Sequence, residues 1–253
     1  MKVVVKLGGS SLVKDKKRDS TNYGAIKSLT DDLIAFHKDV QPQMAIITGG
    51  GYAHSLVEQY NSGFLKDYKK IHEYVENLRK AVATPLINNG LVLDVYSTFE
   101  HYRHAEHKNV NEYLNYLWQL TVRKRTFELG HIWNSCGDIG LTPREEKPFR
   151  IISGDDLTIY MAEKIGAERI IFVMGAEGIY RDFNDKSSLI KKMYAAQINE
   201  IKFFDVGDQT GGLEEKIKKS QNALKKGIRI YFVNSDNFLD ALYDKDVPTL
   251  ILP

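Results

Sequence analysis

Short runs of buried-strand character that break at once into glycine turns recur along this chain, and they restrict its fold more than any other feature. Val3-Val4-Val5-Lys6-Leu7 runs into Gly8-Gly9-Ser10-Ser11, and Met44-Ala45-Ile46-Ile47-Thr48 into Gly49-Gly50-Gly51. Phe149-Arg150-Ile151-Ile152 ends in Ser153-Gly154-Asp155-Asp156, and Arg169-Ile170-Ile171-Phe172-Val173-Met174 ends in Gly175-Ala176-Glu177-Gly178-Ile179-Tyr180. Apolar, β-branched runs of this length suit strands covered on both faces. Amphipathic segments lie between them. Asn22–His37 spaces Ile26, Leu29, Leu33 and Ile34 at helical intervals, and His72–Asn89 does the same with Val75, Leu78, Val82 and Leu86. Strands alternating with helices predict an α/β fold, a three-layer αβα sandwich around a mainly parallel central sheet. The glycine turns then gather along one edge of that sheet, where such folds bind small molecules.

The residues at those turns point to phosphate. Paired glycines let main-chain N–H groups approach a ligand, and a helix that starts just past a strand end offers free donors to an anion. Lys6, at the end of the first strand, places an ammonium where such amides converge. This is not a P-loop, because the lysine precedes the glycines and no G-x-x-x-x-G-K-[ST] occurs. The charged loop Lys14-Asp15-Lys16-Lys17-Arg18-Asp19 follows directly and offers Lys14 or Lys16 to a phosphate. His54 falls in the first turn of the helix after Gly49–Gly51, beside a presumptive anion loop. Lys216 lies near the start of a helix over Leu213–Lys226, a position the helix dipole disfavours unless an anion sits there. His101, His104 and His107 recur at every third residue without a carboxylate or cysteine at matching reach, so they read as an exposed polar face, and no protein-bound metal is expected.

A formal net charge of +2 gives no argument for a nucleic-acid or membrane partner. A single cysteine, Cys136, rules out a disulfide within the chain and fits a reducing cytoplasm. No apolar run approaches the ~20 residues of a membrane span. The sequence enters its first strand without a charged-then-apolar leader, so the expectation is a cytoplasmic protein.

Four motifs in order resemble the amino acid kinase family: Lys6-x-Gly8-Gly9-Ser10, Gly49-Gly50-Gly51, Ser153-Gly154-Asp155-Asp156 and Thr210-Gly211-Gly212-x-x-x-Lys216. Within it, Gly137-Asp138-Ile139, a hairpin tip over Thr142–Lys147 and a histidine after the triple glycine most resemble isopentenyl phosphate kinases, with fosfomycin kinases as near relatives. The resemblance implies one amino acid kinase-like domain over 1–253, with 1–150 holding the acceptor and 151–253 the nucleotide. It implies ATP-dependent phosphoryl transfer to a small phosphorylated acceptor, Mg²⁺ carried on the ATP phosphates, and a homodimer. Lys6 would bridge the transferred and acceptor phosphates, with Gly8, Gly9 and Ser10 supplying amides. Gly50, Gly51, His54 and Gly154 would hold the acceptor phosphate, with Gly137 and Asp138 on the same side. Asp155 would orient Lys6 and Lys216 from between them, and Lys216 would stabilise the β- and γ-phosphates. Lys16, Gly175, Glu177, Gly178, Tyr180 and Gly212 would attend the nucleotide.

The chain departs from the pattern at three places. It reads Gly-Gly-Gly-Tyr52-Ala53-His54 where isopentenyl phosphate kinases usually read Gly-Gly-Gly-Ser-Phe-Gly-His. Its first loop is one residue longer, and Met174-Gly175-Ala176-Glu177-Gly178 replaces Thr-Asp-Val-Asp-Gly. Isopentenyl phosphate is the leading acceptor. Another phosphate, phosphonate or carboxylate acceptor, or a non-catalytic nucleotide-binding protein, stays open. The aromatics between Lys66 and Leu120 would line a pocket for a hydrocarbon tail or belong to the core.

Overall fold

The computed structural model describes residues 1–15, 17–104, 109–141, 149–182, 184–200 and 212–253. Its strands are β1 (Lys2–Leu7), β2 (Gln43–Thr48), β3 (Leu93–Tyr96), β4 (Ile132–Cys136), β5 (Asp138–Leu141), β6 (Phe149–Ile152), β7 (Arg169–Val173), β8 (Ile179–Tyr180), β9 (Leu189–Ile190), β10 (Lys192–Tyr194), β11 (Arg229–Val233) and β12 (Leu250–Leu252). The helices are α1 (Gly9–Leu12), α2 (Tyr23–Val40), α3 (Ala53–Asn61), α4 (Lys69–Asn88), α5 (Thr98–His104), α6 (Val110–Arg123), α7 (Gly154–Ile165), α8 (Gly212–Lys225) and α9 (Phe238–Leu242). Eight strands form the main sheet in the order β10-β12-β11-β7-β1-β2-β4-β3. The six from β11 to β3 are parallel, whereas β12 runs antiparallel to β11 and carries β10 with it.

The period of two along a strand divides the core. Val3, Val5 and Leu7 of β1 join Met44 and Ile46 of β2 under α2, α3, α4 and α9. Val4 faces the other way, with Ala45, Ile47, Phe172 and Phe232, under α6, α7 and α8. By the same alternation Lys6 shares the face of Val4 and looks toward α7. Helices thus cover both faces, as apolar runs such as Val3–Val5 require.

The parallel strands end level. Leu7 pairs with Thr48 and Val173, Thr48 with Cys136, and Val173 with Val233. Their turns are therefore neighbours. Helix α7 starts at Gly154, inside the Ser153–Asp156 turn, because the Ser153 hydroxyl accepts the Asp155 N–H at 3.2 Å and caps the first turn. That moves Asp155 and Asp156 from a turn onto a helix. Strands β5 and β6 form an antiparallel hairpin beside the sheet. Its tip over Thr142–Lys147, together with Lys16, His107 and the Thr210-Gly211 pair, lies outside the described residues. Among the described residues no helix is long and apolar enough to cross a membrane.

Candidate active site

Because the strands end level, their turns meet backbone to backbone. A Cβ on Gly9 would lie 2.4 Å from the Gly51 nitrogen, one on Gly49 2.6 Å from the Gly9 nitrogen, and one on Gly137 2.4 Å from the Gly154 nitrogen. No side chain fits there, which is the physical reason for these glycines. The Gly8 N–H donates to the Val173 carbonyl at 2.8 Å and that of Gly49 to Leu7 at 2.7 Å, extending the ladder past the strands. This corrects one expectation: the Gly8 amide is already engaged in the sheet. The N–H groups of Gly9 and Ser10 open α1, where a helix has no internal acceptors for them.

Above these turns lies a cleft of about 640 Å³. Lys6, Asp155 and Lys216 stand at its centre. Lys6 runs against Gly154, where a Cβ would sit 3.3 Å from its Cε, and its ammonium pairs with Asp155 Oδ1. Lys216 of α8 reaches Asp155 Oδ2 at 3.7 Å. One carboxylate thus sits between two ammonium groups that arrive from β1 and α8. Burial lowers the pKa of Lys6, and the charge of Asp155 only partly restores it. Burial also works against ionised Asp155, but Lys6 and Lys216 outweigh it and hold its pKa below the usual carboxylate range. A further ladder rises beside them, with Lys219 2.8 Å from Asp156 and 2.9 Å from Glu215.

Toward β7 and α8 the cleft is lined by Phe172, Val173, Met174 and Leu213. Gly175 adjoins it, donating its N–H to Ser10 Oγ at 3.1 Å. Glu177, Gly178 and Tyr180 do not line the cleft among the described residues. Gly178 has a packing reason of its own, since a Cβ there would meet Thr249 Oγ1 at 2.7 Å. Gly212 begins α8, one turn before Lys216.

Toward α3, α4 and the hairpin the lining becomes aliphatic: Val57, Ile71, Val75, Ile139 and Ile151. Gly50, Gly51 and Gly154 form its floor, and exposed His54 folds back so that its Nε2 would lie 3.8 Å from a Cβ on Gly50. None of the aromatics between Tyr68 and Trp118 lines it among the described residues; Tyr74, Tyr96, Tyr102 and Tyr113 are buried core. Asp138 borders the cleft, yet its carboxylate is engaged elsewhere, accepting from Ile139 N–H at 2.7 Å and meeting His72 Nδ1 at 2.6 Å. This corrects its reading as a group offered to substrate.

Sequence reasoning missed three residues. Lys17 lines the cleft, whereas exposed Lys14 does not and Lys16 is outside the described residues. Phe172 lies on a strand interior, where nothing local marks it. His72 carries no motif at all. Of the histidine triplet, His101 is partly buried and bonds the Ser97 carbonyl at 2.7 Å through Nδ1. Among the described residues no group of three or more His, Cys, Asp or Glu side chains is placed to hold a metal ion.

A family model described as the amino acid kinase family matches residues 1–234. Curated relatives are acetylglutamate kinases: that of Corynebacterium glutamicum is 28% identical over 118 residues, covering 45% of this chain and 39% of that protein. That of Methanococcus aeolicus is 33% identical over 75 residues, covering 29% and 25%. The matches therefore span less than half the length of those relatives. A structure of T. acidophilum isopentenyl phosphate kinase in a product complex superposes with a TM-score of 0.71 at 19% identity, covering 99% of this chain and 100% of that one. UMP kinase from Ureaplasma parvum gives a TM-score of 0.64 at 14% identity, covering all of both chains. At these identities the likeness is one of fold.

Proposed function

The chain belongs to the amino acid kinase family, and on that premise we propose that it is an ATP-dependent kinase of a small, already phosphorylated acceptor with an apolar tail, isopentenyl phosphate fitting best. The observation that carries the reading is the Lys6–Asp155–Lys216 arrangement standing between two glycine floors. Phosphoryl transfer needs alignment and charge neutralisation more than a covalent nucleophile. Lys6 stands where the transferred group passes between donor and acceptor. Lys216 neutralises charge developing on the donor side. Asp155 aims both ammonium groups, and it is not a base, because two cations hold it ionised. An acceptor phosphate oxygen is already anionic, so no proton need be taken from it.

Gly9 and Ser10 donate amides to the donor phosphates, with Gly212 and Gly175 alongside the nucleotide. Gly50, Gly51, His54 and Gly154 receive the acceptor phosphate. Mg²⁺ arrives on the ATP phosphates and offsets their charge; with Asp155 engaged by two lysines, the nucleotide itself is its main ligand. On this reading residues 1–150 serve mainly the acceptor and 151–253 mainly the nucleotide within one domain, with Gly9, Ser10 and Gly154 reaching across that division, in a cytoplasmic homodimer.

The tail assignment is supported by the aliphatic wall of Val57, Ile71, Val75, Ile139 and Ile151. A dicarboxylate acceptor such as acetylglutamate would need a cation among those residues, and among the described residues the basic groups lining the cleft are instead Lys6, Lys17, His54 and Lys216. ADP release coupled to NADH oxidation tests the reading across isopentenyl phosphate, fosfomycin, acetylglutamate and UMP, with Lys6→Ala as control. Turnover with isopentenyl phosphate alone is expected. Turnover only with a polar acceptor would remove the tail assignment, and no turnover at all would remove the kinase.

A further inference from the structure

We propose that His72 and Asp138 clamp the aliphatic wall of the cleft by fastening the first turn of α4 to the root of the β5–β6 hairpin, so that affinity for the acceptor follows the protonation of His72. The inference rests on reading that half of the cleft as the acceptor side.

The geometry is that of a positioning pair. His72 Nδ1 lies 2.6 Å from Asp138 Oδ2, and the imidazole stacks on Phe99 with centroids 4.1 Å apart and planes 13° apart. The Asp138 side chain is 1% exposed, so it acts through His72 and the hairpin rather than by touching a ligand. Each partner stands between residues that line the cleft. Ile71 precedes His72 and Val75 lies one turn on, while Gly137 and Ile139 flank Asp138. Tyr68, the N-cap residue of α4, makes no side-chain cap, and the polar tie just before the helix is a local one, Asp67 accepting the Lys69 N–H at 3.0 Å. Farther along, Arg79 binds Glu76 at 2.5 Å and Asn134 at 2.8 Å, so the body of the helix has its own polar tie to the sheet. The His72–Asp138 contact ties down the end that faces the cleft.

Among the described residues, the charges acting on His72 are Asp138 on β5, Glu76 on its own helix and Glu100 on α5. All three are acidic. Burial works against the imidazolium, but Asp138 outweighs it and holds the pKa above the ordinary histidine value. Burial raises the pKa of Asp138 as well, so the charged pair is whole between that raised carboxyl value and about pH 6.5, and it is lost as pH rises through the raised value of His72.

The test compares the full-length wild type with His72→Ala, His72→Asn and Asp138→Asn between about pH 6 and 8.5. In the wild type the acceptor KM should rise roughly tenfold across the range, with the ATP KM moving less than twofold. His72→Ala and Asp138→Asn should sit at the high KM throughout. His72→Asn keeps a neutral donor at the Nδ1 position, as neutral His72 does, but never carries the charge, and should hold a pH-independent KM at the level the wild type reaches at high pH. In ligand-free protein, amide exchange over 69–78, corrected for intrinsic rate, should quicken with pH in the wild type and not in His72→Asn. A pH-independent acceptor KM with unchanged exchange, or an ATP KM that moves in step, overturns the clamp. If no acceptor is turned over, the kinase reading falls, and the exchange measurement alone decides the clamp.

Discussion

Replacing Asp155 by asparagine removes the one negative charge between Lys6 and Lys216 while leaving shape and hydrogen-bonding capacity nearly intact. At the observed 3.7 Å, the Lys216 contact is worth about 4 kcal/mol of Coulomb attraction at an effective dielectric near 20. The net effect is smaller than the sum of both contacts, because each ammonium regains some hydration in the open cleft. Breaking one partner out of a buried pair costs roughly 3–5 kcal/mol, and Lys6 is only 9% exposed. If most of that loss falls on the transition state, where both lysines must meet phosphoryl oxygens, kcat drops by about 10²-fold, or ~3 kcal/mol. The KM values for ATP and acceptor should stay within about threefold, because the glycine floors are untouched. The pH profile gives an independent sign. Burial already holds the Lys6 pKa low, and Asp155 pulls it back up. Without Asp155 it falls further, and since the protonated form is the active one, the alkaline limb of kcat should move to lower pH. Coupled ADP release, with circular dichroism to show that the variant is folded, reads all three quantities. A kcat within threefold of wild type, a loss confined to KM, or an unmoved alkaline limb would refute the reasoning.

Gly137→Ala forces a Cβ to within 2.4 Å of the Gly154 nitrogen and should destabilise the protein by about 2 kcal/mol or more, measured by urea unfolding. Stability equal to wild type would mean that the two turns are free to separate. Val57→Asp, on the aliphatic wall, should raise the acceptor KM at least tenfold and leave the ATP KM unchanged if an apolar tail lies there; an insensitive acceptor KM points to a polar acceptor. Lys219→Ala breaks contacts to Asp156 and Glu215, but Lys219 is 33% exposed, so the stability loss should stay below about 1 kcal/mol in thermal melts. A larger loss would show that the α7–α8 ladder carries stability that its exposure argues against.

The sequence was informative wherever the determinant is local. Alternation along Val3–Val5, glycine at strand ends and apolar spacing in α2 and α4 follow from periods of two and 3.6 residues that any stretch carries in itself. Hence strand type, mostly parallel order and the site's edge were legible. Even the orientation of Lys6 follows from sharing the face of Val4. Boundaries were less so. The Ser153 cap moved the start of α7 back to Gly154 and carried two acids onto a helix.

What tertiary structure alone decided is whatever depends on which distant residues meet. Lys6 and Asp155 are 149 positions apart, and a motif places each at a strand end or helix start without fixing how close they come. The Gly8 amide is used up by Val173 only because β7 happens to be its neighbour. The aromatics of 68–118 could serve a pocket or a core by composition alone, and packing placed Tyr74, Tyr96, Tyr102 and Tyr113 in the core and left an aliphatic wall to the cleft. His72 carries no motif, and the Gly137-Asp138-Ile139 motif does not say what Asp138 binds, since their partnership exists only where α4 crosses the root of the hairpin. Local chemistry wrote the glycine-turn edge into the sequence; long-range packing chose which charges, and which wall, stand over it.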